Sequence, residues 1–463
     1  MAGPVAEGAG QFTAKLNSFV ADNRLYGAAA GVVADGELAW SAWAGFADLA
    51  AGRPAGPDVL YRIASITKTF TGTAILQLRD AGRLDLDDPL VRWIPELSAC
   101  GSPDSIGAVT IRRLLSHESG LVSEPPGTDF MADPPSYQGV AARNLERVGE
   151  IFTAVPPNTQ LKYCNLGYQM LGEVVSRISG TGYPQYVAEQ ILAPLGMTST
   201  AFEPLDQALA GRKATGYGGR AFTDELPVAP AMPPVFAEGG LWSTVADLAR
   251  WLAFQLAAHP QAGQAAGDDA VLAAATRREM HKPRYLSDEQ WSSAWGISWY
   301  AIRTGGVTWV QHSGGLPGFS SNACFDPGSR VGAIALVNGE ADASGLAMAL
   351  AATARDLAAA AAPKLRVPQP TPADFRPLLG CYASPDLSSL LRLEWRDGQL
   401  TLVDPQDPDG NVIIGRGAEP GSFVVAPGRR QSGEPVAFGR RPDGTVTSML
   451  MGGGSLVRLD PVH

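Results

Sequence analysis

Several absences narrow this sequence before any motif is read. No stretch approaches the ~20 consecutive apolar residues that a membrane-spanning helix needs. Basic residues are outnumbered, with 36 Lys and Arg against 46 Asp and Glu and a formal net charge of -10. That balance argues against nucleic acid or an anionic membrane surface as the partner, since both demand a basic footprint. There are four cysteines, Cys100, Cys164, Cys324 and Cys381, without CxxC spacing. They read as free thiols of a reducing compartment. The five histidines form no HxxxH or HxH pair, so no metal site is expected. P-loop, GxGxxG and GxSxG patterns are missing, which removes the usual nucleotide cradle and the strained nucleophile elbow. The opening MAGPVAEGAGQ has neither a basic region nor a continuous apolar core. No signal peptide is therefore expected, and the cytoplasm is the expected location.

What is present is globular in character: 45% hydrophobic and 18% charged residues. Phe12, Leu16, Phe19 and Val20 recur at helical spacing in residues 11–23. Asp35-Gly36 separates two apolar runs, which predicts a hairpin. Residues 65–80 and several stretches between 110 and 260 read as helices. After residue 293 the pattern turns to short β-type runs, closed by an Ala-rich helix over 343–361. Four prolines in PKLRVPQPTP, residues 363–372, predict a stiff linker. The remaining residues, 373–463, alternate in short strands with Gly, Pro and Asp turns, as a small antiparallel sheet or barrel does.

One spacing carries chemistry. Ser65-Ile66-Thr67-Lys68 opens a predicted helix, and residues three apart share a helix face. A serine hydroxyl becomes a nucleophile when a neighbouring base takes its proton, and a lysine withdrawn from water can serve. SxxK alone is common by chance and is better read as a capping serine beside a surface lysine. Two further motifs change that: Tyr163-Cys164-Asn165 at a helix start, and His312-Ser313-Gly314-Gly315 in a predicted strand.

SxxK, YxN and HxG in this order resemble the serine β-lactamase and penicillin-binding-protein superfamily. The closer likeness is to its class C β-lactamase, D-aminopeptidase and family VIII esterase branch. LYRIASITKTFTG, LLSHESGL, KYCNLGYQMLG, GGLWSTVADLARW and HSGGLPGF resemble segments of the same branch, over roughly residues 10–360. The terminal β segment resembles the lipocalin-like domain appended to some of these enzymes. The resemblance implies an α/β (α+β) fold: an antiparallel sheet flanked by helices, with a mostly helical insertion and a small lipocalin-like β domain. It implies a catalytic domain over 1–362, a linker over 363–372 and the β domain over 373–463.

Site roles follow as the resemblance implies them. Ser65 is acylated, Lys68 holds or accepts its proton, and Tyr163 relays that proton. Asn165 binds the amide or carbonyl beside the scissile bond. Backbone N–H groups of Ser65 and Gly315, next to Gly314, form the oxyanion hole. His312 stands where the pattern has a lysine that helps recognise a carboxylate, so ester, D-peptide or thioester substrates gain weight over β-lactams. Histidine titrates near neutrality, so its charge is expected to change between pH 5 and 8. Trp242 is equally a candidate cleft wall or a core tryptophan, and Arg458 is a candidate reaching from the β domain. His117 fits a structural turn, and Cys164 a buried small residue.

The expected activity is serine acyl-enzyme hydrolysis of ester or peptide-type amide bonds, without cofactor or metal. The expected substrate is a small molecule or peptide. Penicillin-binding-protein-type thioesterases are an alternative. They take a peptide from a carrier protein and cyclise it, and they look like this architecture. A non-catalytic sensor on the same fold is a third reading, disfavoured by the joint presence of Ser65, Lys68 and Tyr163.

Overall fold

A computed structural model describes residues 2–124, 145–218, 236–260, 270–290, 292–361 and 369–459, apart from 397, 406, 420 and 428–430. Two compact units divide the chain, Met1–Ala361 and Ala362–His463. The predicted linker lies largely outside the described residues, which resume at 369.

The first unit opens with helices α1 (Ala2–Glu7) and α2 (Ala9–Asp22), then the hairpin β1 (Gly27–Ala34) and β2 (Glu37–Asp48). After β3 (Arg53–Pro54) and β4 (Tyr61–Arg62), a 3-10 turn over Ala64–Ile66 leads into α3 (Thr67–Asp80). The helical region carries α4 (Asn165–Ser179), the short strand β5 (Trp242–Ser243) and α5 (Val245–Leu256). Strands β6 (Tyr285–Leu286), β7 (Ser293–Trp295), β8 (Tyr300–Thr304), β9 (Val307–Leu316), β10 (Phe319–Asp326) and β11 (Val331–Val337) follow, and α6 (Ala343–Ala361) ends the unit.

Nine strands make one sheet in the order β3-β2-β1-β11-β10-β9-β8-β7-β6. Inside it the first and last long strands of the unit form the antiparallel pair β1–β11, with Ala28 opposite Val337 and Ala34 opposite Val331. The two ends of the unit are thus zipped together, and the helical region leaves and returns between them. Every residue of β1 and β11 is buried, because both faces are covered. Alternation divides β1 between two cores. Ala28, Ala30 and Val32 pack with Phe12 and Leu16 of α2 and Leu350 of α6. Ala29 and Val33 join Phe70, Leu248 and Trp251 in the core beneath the helical region. Among the described residues, no helix is long and apolar enough to cross a membrane.

Of the stretches between 110 and 260 that read as helices, PQYVAEQILAPLG is not one regular element. An α-turn at Tyr183–Val187 passes into a π-helical turn at Ala188–Leu192.

The second unit is a closed, lipocalin-like barrel of eight antiparallel strands: β12 (Gly380–Ala383), β13 (Leu390–Arg396), β14 (Gln399–Asp404), β15 (Asp407–Arg416), β16 (Phe423–Val425), β17 (Pro435–Arg440), β18 (Val446–Met451) and β19 (Gly454–Leu459). Pairing of Tyr382 with Arg458 closes it and removes the free sheet edges. Tyr382, Leu393, Leu402, Ile414 and Met449 fill its interior. The sequence reading passed over β12 and β15; the polar opening of β15, DPDGN, hides its later Val-Ile-Ile.

Candidate active site

Ser65 lies in the 3-10 turn that introduces α3. It is the one residue between 59 and 76 that is not buried. Ala64 before it holds φ +45, a left-handed conformation that a residue with a Cβ adopts only when its surroundings compel it. The compelling neighbour is β9. A Cβ on Gly314 would stand 2.2 Å from the Ile63 carbonyl oxygen, so only glycine lets the strand approach the turn this closely. One residue on, a side chain at Gly315 would meet open space.

Lys68 is fully buried on the first turn of α3. Its Nζ stands 3.0 Å from Ser65 Oγ, 2.7 Å from Asn165 Oδ1 and 2.6 Å from the Glu238 carbonyl oxygen. Asn165 starts α4, where Cys164 caps the helix by accepting from the Gly167 N–H at 3.1 Å. The other end of the Asn165 amide donates to Glu124. Both ends are therefore committed to Lys68 and Glu124, which makes Asn165 a holder of the lysine, a role the motif alone did not suggest. Burial pushes the Cys164 thiol up to about 11, in keeping with an inert cap.

Tyr163 is half-buried and turns its ring face to Lys68, with Nζ 4.9 Å from the centroid. His117, fully buried, stacks on the other partner surfaces of this ring system: 4.1 Å from Tyr163 and edge-on to Trp295 at 4.5 Å. Its Nδ1 accepts from the Cys164 N–H at 3.1 Å, which leaves the proton of the neutral ring on Nε2. Burial, reinforced by Lys68 and His312, holds its pKa well below the usual histidine range.

His312, on β9, is 1% exposed. Its Nδ1 lies 2.6 Å from the Ser313 carbonyl oxygen. Burial and then the Lys68 charge push its pKa down to about 3. The expected charge change between pH 5 and 8 is therefore corrected: the ring stays neutral across that range, because its ionised form would have to leave water.

Two further candidates have partners of their own. Trp242 is 4% exposed, its ring covered by Arg62 (4.8 Å), Lys213 (5.3 Å) and the edge-on ring of Phe319 (5.4 Å). Its ring is packed among these three side chains. Arg458 belongs to the barrel, where its guanidinium donates to the carbonyls of Pro377 and Leu379, each at 2.8 Å. Those donors tie the chain before β12 to β19. Sequence reasoning missed Glu124 and Glu238; a lone acid in the apolar stretch FAEGGLW was the available signal for the second.

A family model described as Beta-lactamase matches residues 12–367. The chain belongs to the beta-lactamase family. It is a serine hydrolase of the β-lactamase and penicillin-binding-protein type. Penicillin-binding protein 4 of Amycolatopsis lactamdurans is 29% identical over 377 residues, 80% of this chain and 96% of that one. The crystal structure of SurE superposes with a TM-score of 0.61 at 26% identity, over 98% of this chain and 100% of that chain. A class C beta-lactamase shares the fold at 17% identity and a TM-score of 0.61, covering 77% of this chain and 98% of its own.

Proposed function

We propose that this beta-lactamase family member hydrolyses ester or peptide-type amide bonds through an acyl-enzyme, with Ser65 as nucleophile and Lys68 as its base. The observation that carries the reading is the 3.0 Å contact of the buried Lys68 Nζ with the one partly exposed residue of its segment. The other two neighbours of Nζ, Asn165 Oδ1 and the Glu238 carbonyl, only accept hydrogen bonds. A neutral amine keeps its two N–H groups on them and turns its lone pair to the Ser65 hydroxyl. The proton passes to Nζ as Oγ bonds to the acyl carbon. Backbone N–H groups of Ser65 and Gly315 receive the developing oxyanion. Tyr163, against Lys68, carries the proton on to the leaving group and later helps activate water.

His312 supports an uncharged recognition element. The Ser313 carbonyl can only accept, so Nδ1 bears the proton and Nε2 is a bare acceptor in a neutral ring. Such a ring takes a hydrogen bond from a donor; it does not pair with a carboxylate. That favours esters and amides over substrates anchored by a free acid.

A second reading shares the acyl-enzyme and differs in the acceptor: an amine of the same peptide replaces water, and the product is a ring. The barrel favours it, since the thioesterases that this architecture resembles carry an appended lipocalin-like domain. A carrier protein would then deliver the peptide as a thioester. Turnover of a nitrophenyl ester, a D-alanyl amide, a chromogenic β-lactam and a peptidyl thioester separates these readings. Cyclic product from the thioester establishes the second, free acid the first, and unreactivity of Ser65 towards all four rejects both.

A further inference from the structure

Glu238 lies in the turn before β5 with 5% of its surface exposed. Three hydrogen bonds fasten this turn to the Ser65 segment. The Ile63 N–H donates to the Leu241 carbonyl at 3.0 Å, the Leu241 N–H to Thr67 Oγ1 at 3.2 Å, and Thr71 Oγ1 to the Ala237 carbonyl at 2.5 Å. They present the Glu238 carbonyl to Lys68. The carboxyl of the same residue accepts from Gln169 Nε2 at 2.8 Å through Oε1, while Oε2 is buried with no hydrogen-bond partner among the described residues. Gln169 is one helical turn beyond Asn165, so one face of α4 holds both the amine and this carboxyl.

A buried ammonium needs a counter-charge, yet the three hydrogen-bonded neighbours of Lys68 Nζ are all uncharged atoms. The titratable groups that face the Glu238 carboxyl are Lys68 on α3, Glu124, and Tyr183, whose hydroxyl meets Thr71 Oγ1 at 2.7 Å. Of these only Lys68 is a cation. Glu124 faces Lys68 too, through Asn165.

We propose that Glu238 is a positioning residue whose carboxylate is the counter-charge of Lys68, and that it sets the pH at which Lys68 is free to take the Ser65 proton. This rests on the reading of Lys68 as the base. An ionised Glu238 holds the proton on Lys68, so the competent amine appears only at higher pH. Burial raises the carboxyl above the usual carboxylate range, and the Gln169 bond and the Lys68 charge oppose that rise.

The test is Glu238→Gln in the full chain, which keeps the shape and removes the charge. The rate of Ser65 acylation by a nitrophenyl ester is followed from about pH 5 to about pH 10. The acid limb should move to lower pH by about one unit, as expected when a nearby opposite charge is lost. A purely structural role would lower the plateau without moving the limb. A limb that superimposes on the wild type, or moves to higher pH, overturns the proposal. If Glu238→Gln does not fold, Gln169→Leu decides: without its donor the carboxylate is disfavoured, and the limb should move the same way; an unmoved limb overturns the proposal. Ser65→Ala separates the two levels. Acylation that persists in it rejects the base reading itself, whereas Ser65-dependent acylation with an unmoved limb rejects only the role of Glu238.

Discussion

The imidazole of His117 stacks on the phenol ring of Tyr163 with centroids 4.1 Å apart, and the same imidazole caps the backbone N–H of Cys164. One buried side chain thus fixes both the ring of Tyr163 and the start of the helix that carries Asn165. His117 itself holds φ +61. Replacing it by leucine leaves the Cys164 N–H buried without an acceptor, at a cost of about 1–3 kcal/mol. We expect His117→Leu to lower the urea midpoint and to slow acylation, while His117→Asn, which retains an acceptor, recovers part of both. Equal stability of wild type and His117→Leu would show that the contact does not hold the site.

Ser65→Ala should abolish labelling by a fluorophosphonate, and intact-mass analysis should find a single adduct on the wild type. Lys68→Ala and Tyr163→Phe should each slow acylation by about 10²-fold or more, the usual scale of general acid–base assistance. Near-normal rates in either would mean that another group moves the proton.

Because His312 is neutral across pH 5 to 8, KM for an uncharged ester and for its matched free acid should show no histidine-like step in that range. His312→Lys should selectively improve KM for the acid, since it adds a cation at the same strand position. A step near pH 6.5 that appears only for the acid would reject the neutral assignment.

Acid stability follows from the same burial. Four of the five histidines (117, 259, 281 and 312) are held below the ordinary range, chiefly by burial; His463 lies outside the described residues. His259 is pushed down to about 4, and its Nε2 lies 2.9 Å from Nδ1 of His281. The unfolded chain binds protons on these rings first. Their contribution to stability is present above the unfolded value of about 6.5 and is lost as pH falls toward about 4. Urea midpoints should decline through this window, and His259→Gln should flatten the decline. An identical slope in the variant would assign acid lability to carboxylates.

Arg458→Met should destabilise the barrel, since it strips donors from the Pro377 and Leu379 carbonyls, while leaving turnover of a small nitrophenyl ester within about threefold. A large loss of turnover with an unchanged melting transition would place Arg458 in the substrate site instead.

The order of SxxK, YxN and HxG carried the resemblance that implied the superfamily and the sheet with its helical insertion, while the hairpin at Asp35-Gly36, the Ala-rich helix at 343–361 and the β unit after it were read from turns and periodicity. These features are local: capping, turn chemistry, periodicity and fixed spacings along the chain. What the sequence could not decide was which polar atoms meet across long separations. Lys68 meets the carbonyl of a residue 170 positions away, and Asn165 spends its amide on Lys68 and Glu124. Trp242 read equally as a cleft wall or a core residue, and the fold packs it under Arg62, Lys213 and Phe319. His312 looked like a titrating anchor, yet a 1% exposed ring beside a lysine cannot hold a charge near neutrality. Residue type set what each group could do; burial and its neighbours, which only the folded chain supplies, set the state in which it acts.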